Sequence, residues 1–300
     1  MQKIIPLKNS KLIIDYNETI NLFLHTLNIY GLLGNHGSCY KLRNDERVKK
    51  SIDEVIQEDV KQGDSWFSYG NVRIYEPGMN FIIKNKTWEK PVDETNMYMG
   101  ITTNNFGMAF KKCWDEFYKA YWQSTLNERE KQFNECVNRF DFEDAAQKMM
   151  RATHREFPSD VYIFPAEALG RAGLKFNKNI CMGDIHSLED VCFVHEGLHL
   201  LLNEEWAKNR EIVELINKSN YKDKYYGSWT AKFEQVLVVG LDSCIRNIDD
   251  ESAKRYYEGC NLHDVFDVAH PLIKSYYENG CDMSIEELML KIIRGTVNHA

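Results

Sequence analysis

The segment VCFVHEGLHLLLNEEW, residues 191–206, carries two histidines within a mainly apolar stretch. Its apolar residues recur at the three- and four-residue intervals of one helix face: Val191, Val194, Leu198, Leu202 and Trp206. Ser187 and Asp190, just upstream, match an N-terminal capping box. The spacing therefore predicts a helix over residues 187–206, directly after a strand predicted over residues 174–183.

The two histidines are four residues apart, so a helix projects both from one face, where their imidazoles can bind a single ion. Glu196 stands one position further round the helix and can reach a water on that ion. The alternative is an ordinary buried helix that contains His195 and His199 by chance. Two unpartnered imidazoles would be costly to desolvate there, which favours the metal site. Gly197 weakens the helix and indicates that another element packs closely against it.

A second metal chemistry uses the same letters, because Glu196 and His199 also form the E-x-x-H motif of di-iron carboxylate bundles. Such a site needs a second copy of the motif. No other histidine of the chain has a glutamate three residues before it. A di-iron site would therefore lack half of its ligands.

The H-E-x-x-H motif formed by His195, Glu196 and His199 resembles that of the zincin metallopeptidases. The predicted order of elements over residues 141–246 is similar as well: a helix at 141–157, a strand at 160–165, a second strand at 174–183, the motif helix at 187–206 and further helices. The resemblance implies an α+β, mainly helical fold with a small mixed sheet and an active-site helix. It places a zincin-like metallopeptidase domain at residues 141–300, after a helical or mixed region of unknown role at residues 1–140.

A catalytic zinc site normally has three protein ligands. The metzincin pattern would require Gly at 202 and His at 205, where this chain has Leu202 and Glu205. Without that glycine we expect the helix to continue and to carry Glu205 about 9 Å along the axis from His199. A break after Leu202 would instead allow Glu205 to return to the ion.

A later segment, SWTAKFEQVLVVGLDSCIR at residues 228–246, also has helical periodicity. Its predicted inward stripe is Ala231, Glu234, Val238, Leu241 and Ile245, with Glu234 as the only charged member. Resemblance to the gluzincins, whose third ligand is a glutamate on a later helix, implies this role for Glu234. The alternative is a glutamate at the core edge or in a structural ion pair. Asp242, near the same face, is a candidate to orient a ligand histidine.

The resemblance implies hydrolysis of peptide bonds with one Zn²⁺ per chain, and Glu196 as the general base. The candidate donors to the oxyanion are Tyr225, Tyr226, His263 and His270, which the sequence does not rank. The alternative is a catalytically inactive zincin-fold protein that binds a partner or uses its metal structurally. Glu196 favours the enzyme, because a structural site has no need of a base beside its ligands.

Composition limits the partners of the chain. A formal net charge of −8 and a pI of about 5.7 argue against nucleic acid. No apolar stretch approaches the roughly 20 residues of a membrane span, and Pro6 and Lys8 interrupt any N-terminal secretory segment. The eight cysteines are scattered singly, which predicts reduced thiols. We therefore expect a cytoplasmic protein that acts on a peptide or protein substrate without a membrane partner; the oligomeric state stays open.

Weaker patterns cover the rest of the chain. They predict a strand at residues 11–17, helices at 18–34 and 51–63, and short strands and loops over 64–104. Aromatic residues at helical spacing within residues 105–140 favour a buried core face over a ligand face.

Overall fold

The structure is a computed structural model. It describes residues 1–29, 42, 114–170, 173–176, 178–183, 192–202, 204–219 and 225–299. The helix predicted at residues 51–63, the irregular segment at 64–104 and the cap formed by Ser187 and Asp190 lie outside the described residues.

The chain divides into two compact units. The first contains residues 1–6, 11–141 and 160–193, and the second contains residues 7–10, 142–159 and 194–300. The predicted domains 1–140 and 141–300 share one of these boundaries, but residues 160–193 group with the N-terminal residues. The reason is strand pairing, since strands from both parts of the sequence form one sheet.

The first unit contains a five-stranded sheet, formed by β1 (Gln2–Pro6), β2 (Lys11–Asp15), β3 (Val161–Pro165), β4 (Leu174–Phe176) and β5 (Asn179–Met182). The strand order is β1-β2-β3-β5-β4. β2, β3 and β5 run parallel, and β1 and β4 pair antiparallel at the two edges. The sheet is therefore small and mixed, as predicted. Its middle strands are apolar and buried, as expected where both faces are covered.

The single strand predicted over residues 174–183 is wrong. β4 and β5 form an antiparallel pair in which Leu174 lies opposite Cys181 and Phe176 lies opposite Asn179. The intervening Asn177-Lys178 favours a turn, and Lys178 lies in one. The alternation of apolar and polar residues that predicted one strand comes from two strands, β4 and β5, joined by this turn. The strand predicted at residues 160–165 is confirmed as β3.

The described helices of the first unit are α1 (Glu18–Ile29), a π-helical segment (Trp114–Tyr118) and α2 (Lys119–Arg139). The side-chain oxygen of Asn17 accepts a hydrogen bond from the Ile20 amide and so caps α1. Tyr118 and Trp122 of the aromatic stripe are buried, which confirms a core role for that face.

The described helices of the second unit are α3 (Phe142–Thr153), α4 (Cys192–Leu201), α5 (Arg210–Ser219), α6 (Trp229–Ile245), α7 (Asp250–Gly259), α8 (Phe266–Glu278) and α9 (Ile285–His299). The first two residues of α4 belong to the first unit, and the second unit begins at Val194. α6 contacts α3, α7, α8 and α9, and every residue from Val236 to Ser243 is buried. The chain is α+β and mainly helical, with α6 at the centre of the helical unit. No helix in the described ranges is long and apolar enough to cross a membrane.

One predicted helix boundary and one predicted helix face differ from the structure. The helix predicted over residues 141–157 ends at Thr153, because His154 adopts a left-handed conformation with φ of 53° and its ring contacts the Met283 carbonyl oxygen at 3.1 Å. On α6, Ala231 is exposed, whereas Lys232 and Asp242 are buried. Glu234 is therefore not the only charged residue directed inward, because this helix is covered on most of its surface.

Five of the eight cysteines have described side chains, and none of the five is joined to another described cysteine by a disulfide: Cys136, Cys181, Cys244, Cys260 and Cys281. Cys136, Cys181 and Cys281 are buried.

Candidate metal centre

The motif helix α4 is shorter than predicted. It ends at Leu201, after which the Leu202 amide still donates to the Leu198 carbonyl, and residues Glu204–Lys208 form a separate 3₁₀ segment. Trp206 is buried in this segment, with its ring centroid 5.9 Å from that of Trp229. The expected placement of Glu205 about 9 Å along a continuous helix is therefore wrong.

Gly197 marks a close approach between α4 and α3. A Cβ atom at this position would lie 2.8 Å from Sδ and 2.9 Å from Cε of Met149, which is closer than van der Waals contact. This confirms the expectation that another element packs against the glycine. The absence of a side chain lets α3 support the helix that carries both histidines.

The two histidines of the motif do share one face of α4. The ring centroids of His195 and His199 are 5.0 Å apart, with an angle of 71° between the ring planes. Val194 and Leu198 are buried on the core side, and Glu196 is buried as well. The helix thus brings two imidazoles and a carboxylate into one region of the second unit.

His195 has a hydrogen-bond partner at each ring nitrogen. Its Nδ1 atom lies 2.7 Å from the Tyr256 hydroxyl on α7, and its Nε2 atom lies 3.2 Å from the amide nitrogen of Gln235 on α6. Burial, followed by the nearby His199 and Arg246, lowers the pKa of His195 from 6.5 to about 3. The ring is therefore neutral near pH 7, which is the form that binds metal ions.

His199 contacts the glutamate predicted as the third ligand. Its Nδ1 atom lies 2.7 Å from Oε1 of Glu234, and both side chains are partly exposed. The carboxylate accepts the hydrogen from Nδ1, so the lone pair of the neutral ring lies on Nε2. Glu234 thus belongs to the same cluster as the motif histidines.

Asp242 is fully buried and forms a bidentate ion pair with Arg246, with distances of 2.7 Å to Nε and 3.1 Å to Nη2. Burial raises the pKa of Asp242 to about 6, although Arg246 and a hydrogen bond from Tyr256 both lower it. Asp242 was predicted to orient a ligand histidine. The structure connects it to His195 through the Tyr256 hydroxyl, which hydrogen-bonds to both groups.

Three residues of this cluster were not predicted from the sequence: Gln235, Arg246 and Tyr256. Arg246 had a usable signal, because it follows Asp242 by four residues on one helix and such pairs commonly form ion pairs. Gln235 and Tyr256 had none, since an isolated glutamine or tyrosine carries no motif.

The four candidate oxyanion donors are dispersed. Tyr225 is 55% exposed, and His263 lies exposed in a 3₁₀ segment (His263–Val265). The Tyr226 hydroxyl donates to the Cys260 carbonyl oxygen. His270 is buried, 3.1 Å from Asp250 through Nε2. The described contacts of these side chains supply no reason to choose one of them as a donor.

The donor set fits zinc chemically, because two neutral imidazoles and a carboxylate are common ligands of a catalytic zinc ion. Within the ranges that the structure describes, however, no group of three or more His, Cys, Asp or Glu side chains is arranged to hold an ion. In the present arrangement Gln235 and Glu234 hydrogen-bond to the rings of His195 and His199. Comparisons with protein-family models, curated proteins and solved structures found no match to this chain.

Proposed function

We propose that this chain is a zinc-dependent peptidase in which His195, His199 and Glu234 hold one Zn²⁺. The observation that supports this most strongly is the 2.7 Å contact between His199 of the H-E-x-x-H helix and Glu234 of α6. The motif alone provides two ligands and a base. The contact brings a carboxylate from a different helix to the motif histidines, and two histidines with one glutamate are the ligand set of a gluzincin site.

When bound, the ion would supply Lewis acidity that polarises the scissile carbonyl and makes water more acidic. The chain's own residues prepare the donors. Burial keeps His195 neutral, and the Tyr256 partner of its Nδ1 atom leaves its lone pair on Nε2. Glu234 hydrogen-bonds to Nδ1 of His199, on the side of the ring away from Nε2, so it must leave that hydrogen bond to become a ligand of an ion held at Nε2. Binding an ion at Nε2 of His195 requires the Gln235 amide to give up its present hydrogen bond.

Glu196 is the proposed general base. It directly follows His195 on α4, and its side chain is buried. In the reaction it accepts the proton of the attacking water and delivers it to the amine of the departing peptide. The substrate is accordingly a peptide or protein.

The rival function is a structural or binding role for an inactive protein that retains the metal. Glu196 favours the enzyme, because a structural site gains nothing from a buried base. The two functions differ in coordination: an open position that admits water supports the enzyme, and a fourth protein ligand supports the structural role.

Metal analysis combined with cleavage of a peptide library tests the proposal. We expect close to one zinc per chain after reconstitution at neutral pH, and cleavage that a chelator abolishes and added zinc restores. Zinc binding without cleavage of any peptide would favour the structural role. Failure to retain zinc would refute both functions.

A further inference from the structure

His195 stands at the end of a hydrogen-bond chain that runs through Tyr256 and Asp242 to Arg246. The Tyr256 hydroxyl lies 2.7 Å from Nδ1 of His195 and also hydrogen-bonds to the Asp242 carboxylate. Arg246 holds both oxygens of that carboxylate, at 2.7 Å and 3.1 Å. The guanidinium carbon also lies 5.7 Å from the centroid of the Tyr256 ring. The four groups come from helices α4, α6 and α7 of the second unit.

The hydrogen bonds of this network all donate toward the Asp242 carboxylate, from Arg246 on one side and from Tyr256 and His195 on the other. A guanidinium group only donates, so Arg246 makes Asp242 an acceptor. The hydroxyl of Tyr256 has a single proton, and the buried carboxylate is its strongest available acceptor. The hydroxyl oxygen then accepts a hydrogen from Nδ1 of His195.

The contact on the other side of the ring agrees with the same tautomer. The amide nitrogen of Gln235 lies 3.2 Å from Nε2 of His195. In the present orientation the amide nitrogen faces Nε2 and carries only donor hydrogens, so Nε2 is the acceptor and bears the lone pair. The amide can turn its oxygen to an Nε2–H instead, so it follows the tautomer that Tyr256 and Asp242 set. Contacts from two different helices thus agree with a hydrogen on Nδ1.

We propose that Tyr256 and Asp242 are positioning residues that hold His195 in the Nδ1–H tautomer and present the Nε2 lone pair to a metal ion. The metal-binding part rests on the proposed function, whereas the tautomer is a property of the metal-free chain. Because the Asp242 carboxylate is fully buried, bulk water does not compete with Tyr256 and Arg246 for its oxygens, and these hydrogen bonds keep their donors and acceptors.

The first test is Tyr256→Phe, which removes the hydroxyl and keeps the ring. In metal-free protein with ¹⁵N-labelled histidine, NMR reports which nitrogen of His195 carries the hydrogen. We expect Nδ1–H in the original chain and a loss of this preference in the variant. Competition with a chromophoric chelator should show zinc binding weakened about 10–100-fold, as is typical when the partner of a ligand histidine is lost. Tyr276→Phe is the matched control, because that buried hydroxyl donates to the Ala152 carbonyl oxygen and should affect neither readout.

Asp242→Asn provides the second test, because it retains the Tyr256 hydroxyl. The new amide can donate to that oxygen, so the hydroxyl donates to Nδ1 and the histidine hydrogen moves to Nε2. A wrong tautomer with the side chains in place is a known consequence of this substitution type in a His–Asp pair. We expect an Nε2–H signal and weakened zinc binding.

The outcomes separate this inference from the proposed function. An Nε2–H tautomer in the original chain, or zinc binding unchanged by both substitutions, overturns the positioning role even if the protein is a peptidase. The expected tautomers in a chain that binds no zinc support the hydrogen-bond chain and overturn the metal function. If Tyr256→Phe does not fold, Asp242→Asn provides the same two readouts.

Discussion

The Nδ1 atom of His199 lies 2.7 Å from Oε1 of Glu234, although 35 residues separate them in the sequence. α4 carries the histidine and α6 the carboxylate. The motif with the two proposed ligands thereby meets the candidate for the third, and this contact determines which variants are most informative.

Glu234→Ala should weaken zinc binding by more than the roughly 10–100-fold that follows loss of an outer partner, because it removes a bond to the ion. Glu234→Gln refines the test, since the amide can still accept from Nδ1 of His199 but is a poor ligand. Loss of affinity in both variants identifies a ligand. A loss confined to the alanine variant identifies a hydrogen-bond partner. Competition with a chromophoric chelator measures the affinities.

Glu205→Ala is the matched control for that experiment. The break after Leu201 meets the condition under which Glu205 could return to the ion, and Glu205 lies in the 3₁₀ segment that follows. We expect little change in zinc affinity for this variant. Unaltered affinity in Glu234→Ala together with a large loss in Glu205→Ala would refute the gluzincin assignment and make Glu205 the third ligand.

Glu196→Gln should bind zinc as the original chain does and lose hydrolysis by about 10²–10⁴-fold, because the amide keeps the shape of the side chain and removes the base. The measurements are metal content and the rate of cleavage of a peptide identified from the library. Turnover equal to that of the original chain would remove Glu196 from the mechanism.

Asp242 predicts a pH dependence of stability. Its pKa in the folded chain, about 6, lies above its ordinary value of 3.8, so the folded state binds the proton more tightly than the unfolded state. The resulting stability is fully present below about pH 3.8 and is lost as the pH rises through about 6. Relative to the original chain, Asp242→Asn should therefore gain up to about 3 kcal/mol in free energy of unfolding between pH 4 and pH 7.

Urea unfolding of both metal-free proteins at several pH values measures this difference. The substitution also removes the partner of Arg246, which adds a destabilising offset at each pH. The prediction is therefore tested by how the difference in free energy of unfolding between the two proteins changes with pH. Parallel curves for the two proteins would show that Asp242 does not titrate as proposed.

Two glycines allow a comparison of packing. A Cβ at Gly240 would lie 2.3 Å from Cδ1 of Ile273 and 2.6 Å from the Tyr257 hydroxyl, and neither neighbour can move easily within the core. At Gly197 the close atoms are the flexible end of Met149. Gly240→Ala should cost about 1–3 kcal/mol from overpacking. Gly197→Ala should be nearly neutral, because a helix gain of about 1 kcal/mol offsets the displacement of Met149.

Thermal and urea unfolding of the two alanine variants measure which substitution lowers stability more. A greater loss of stability in Gly197→Ala than in Gly240→Ala would mean that Met149 is held rigidly and that α3 positions α4 more tightly than a flexible contact allows.

The sequence by itself determined the features that depend on neighbours within one or two helical turns. The shared face of His195 and His199, the close approach at Gly197 and the α6 helix that carries Glu234 all follow from local periodicity and local propensity. These patterns repeat every three to four residues, so a short window contains all the information that they need.

Tertiary structure decided the rest, because the determining contacts lie far apart in sequence. Local periodicity predicted one continuous helix through Trp206, whereas α4 ends at Leu201 and Trp206 contacts Trp229 from a separate 3₁₀ segment. Tyr256 meets His195 across 61 residues, and its hydroxyl acquires a role only when Asp242 is buried beside it. A tyrosine has no local signal for such a partner. Its role follows from the packing of α4, α6 and α7, which sets the direction of each hydrogen bond.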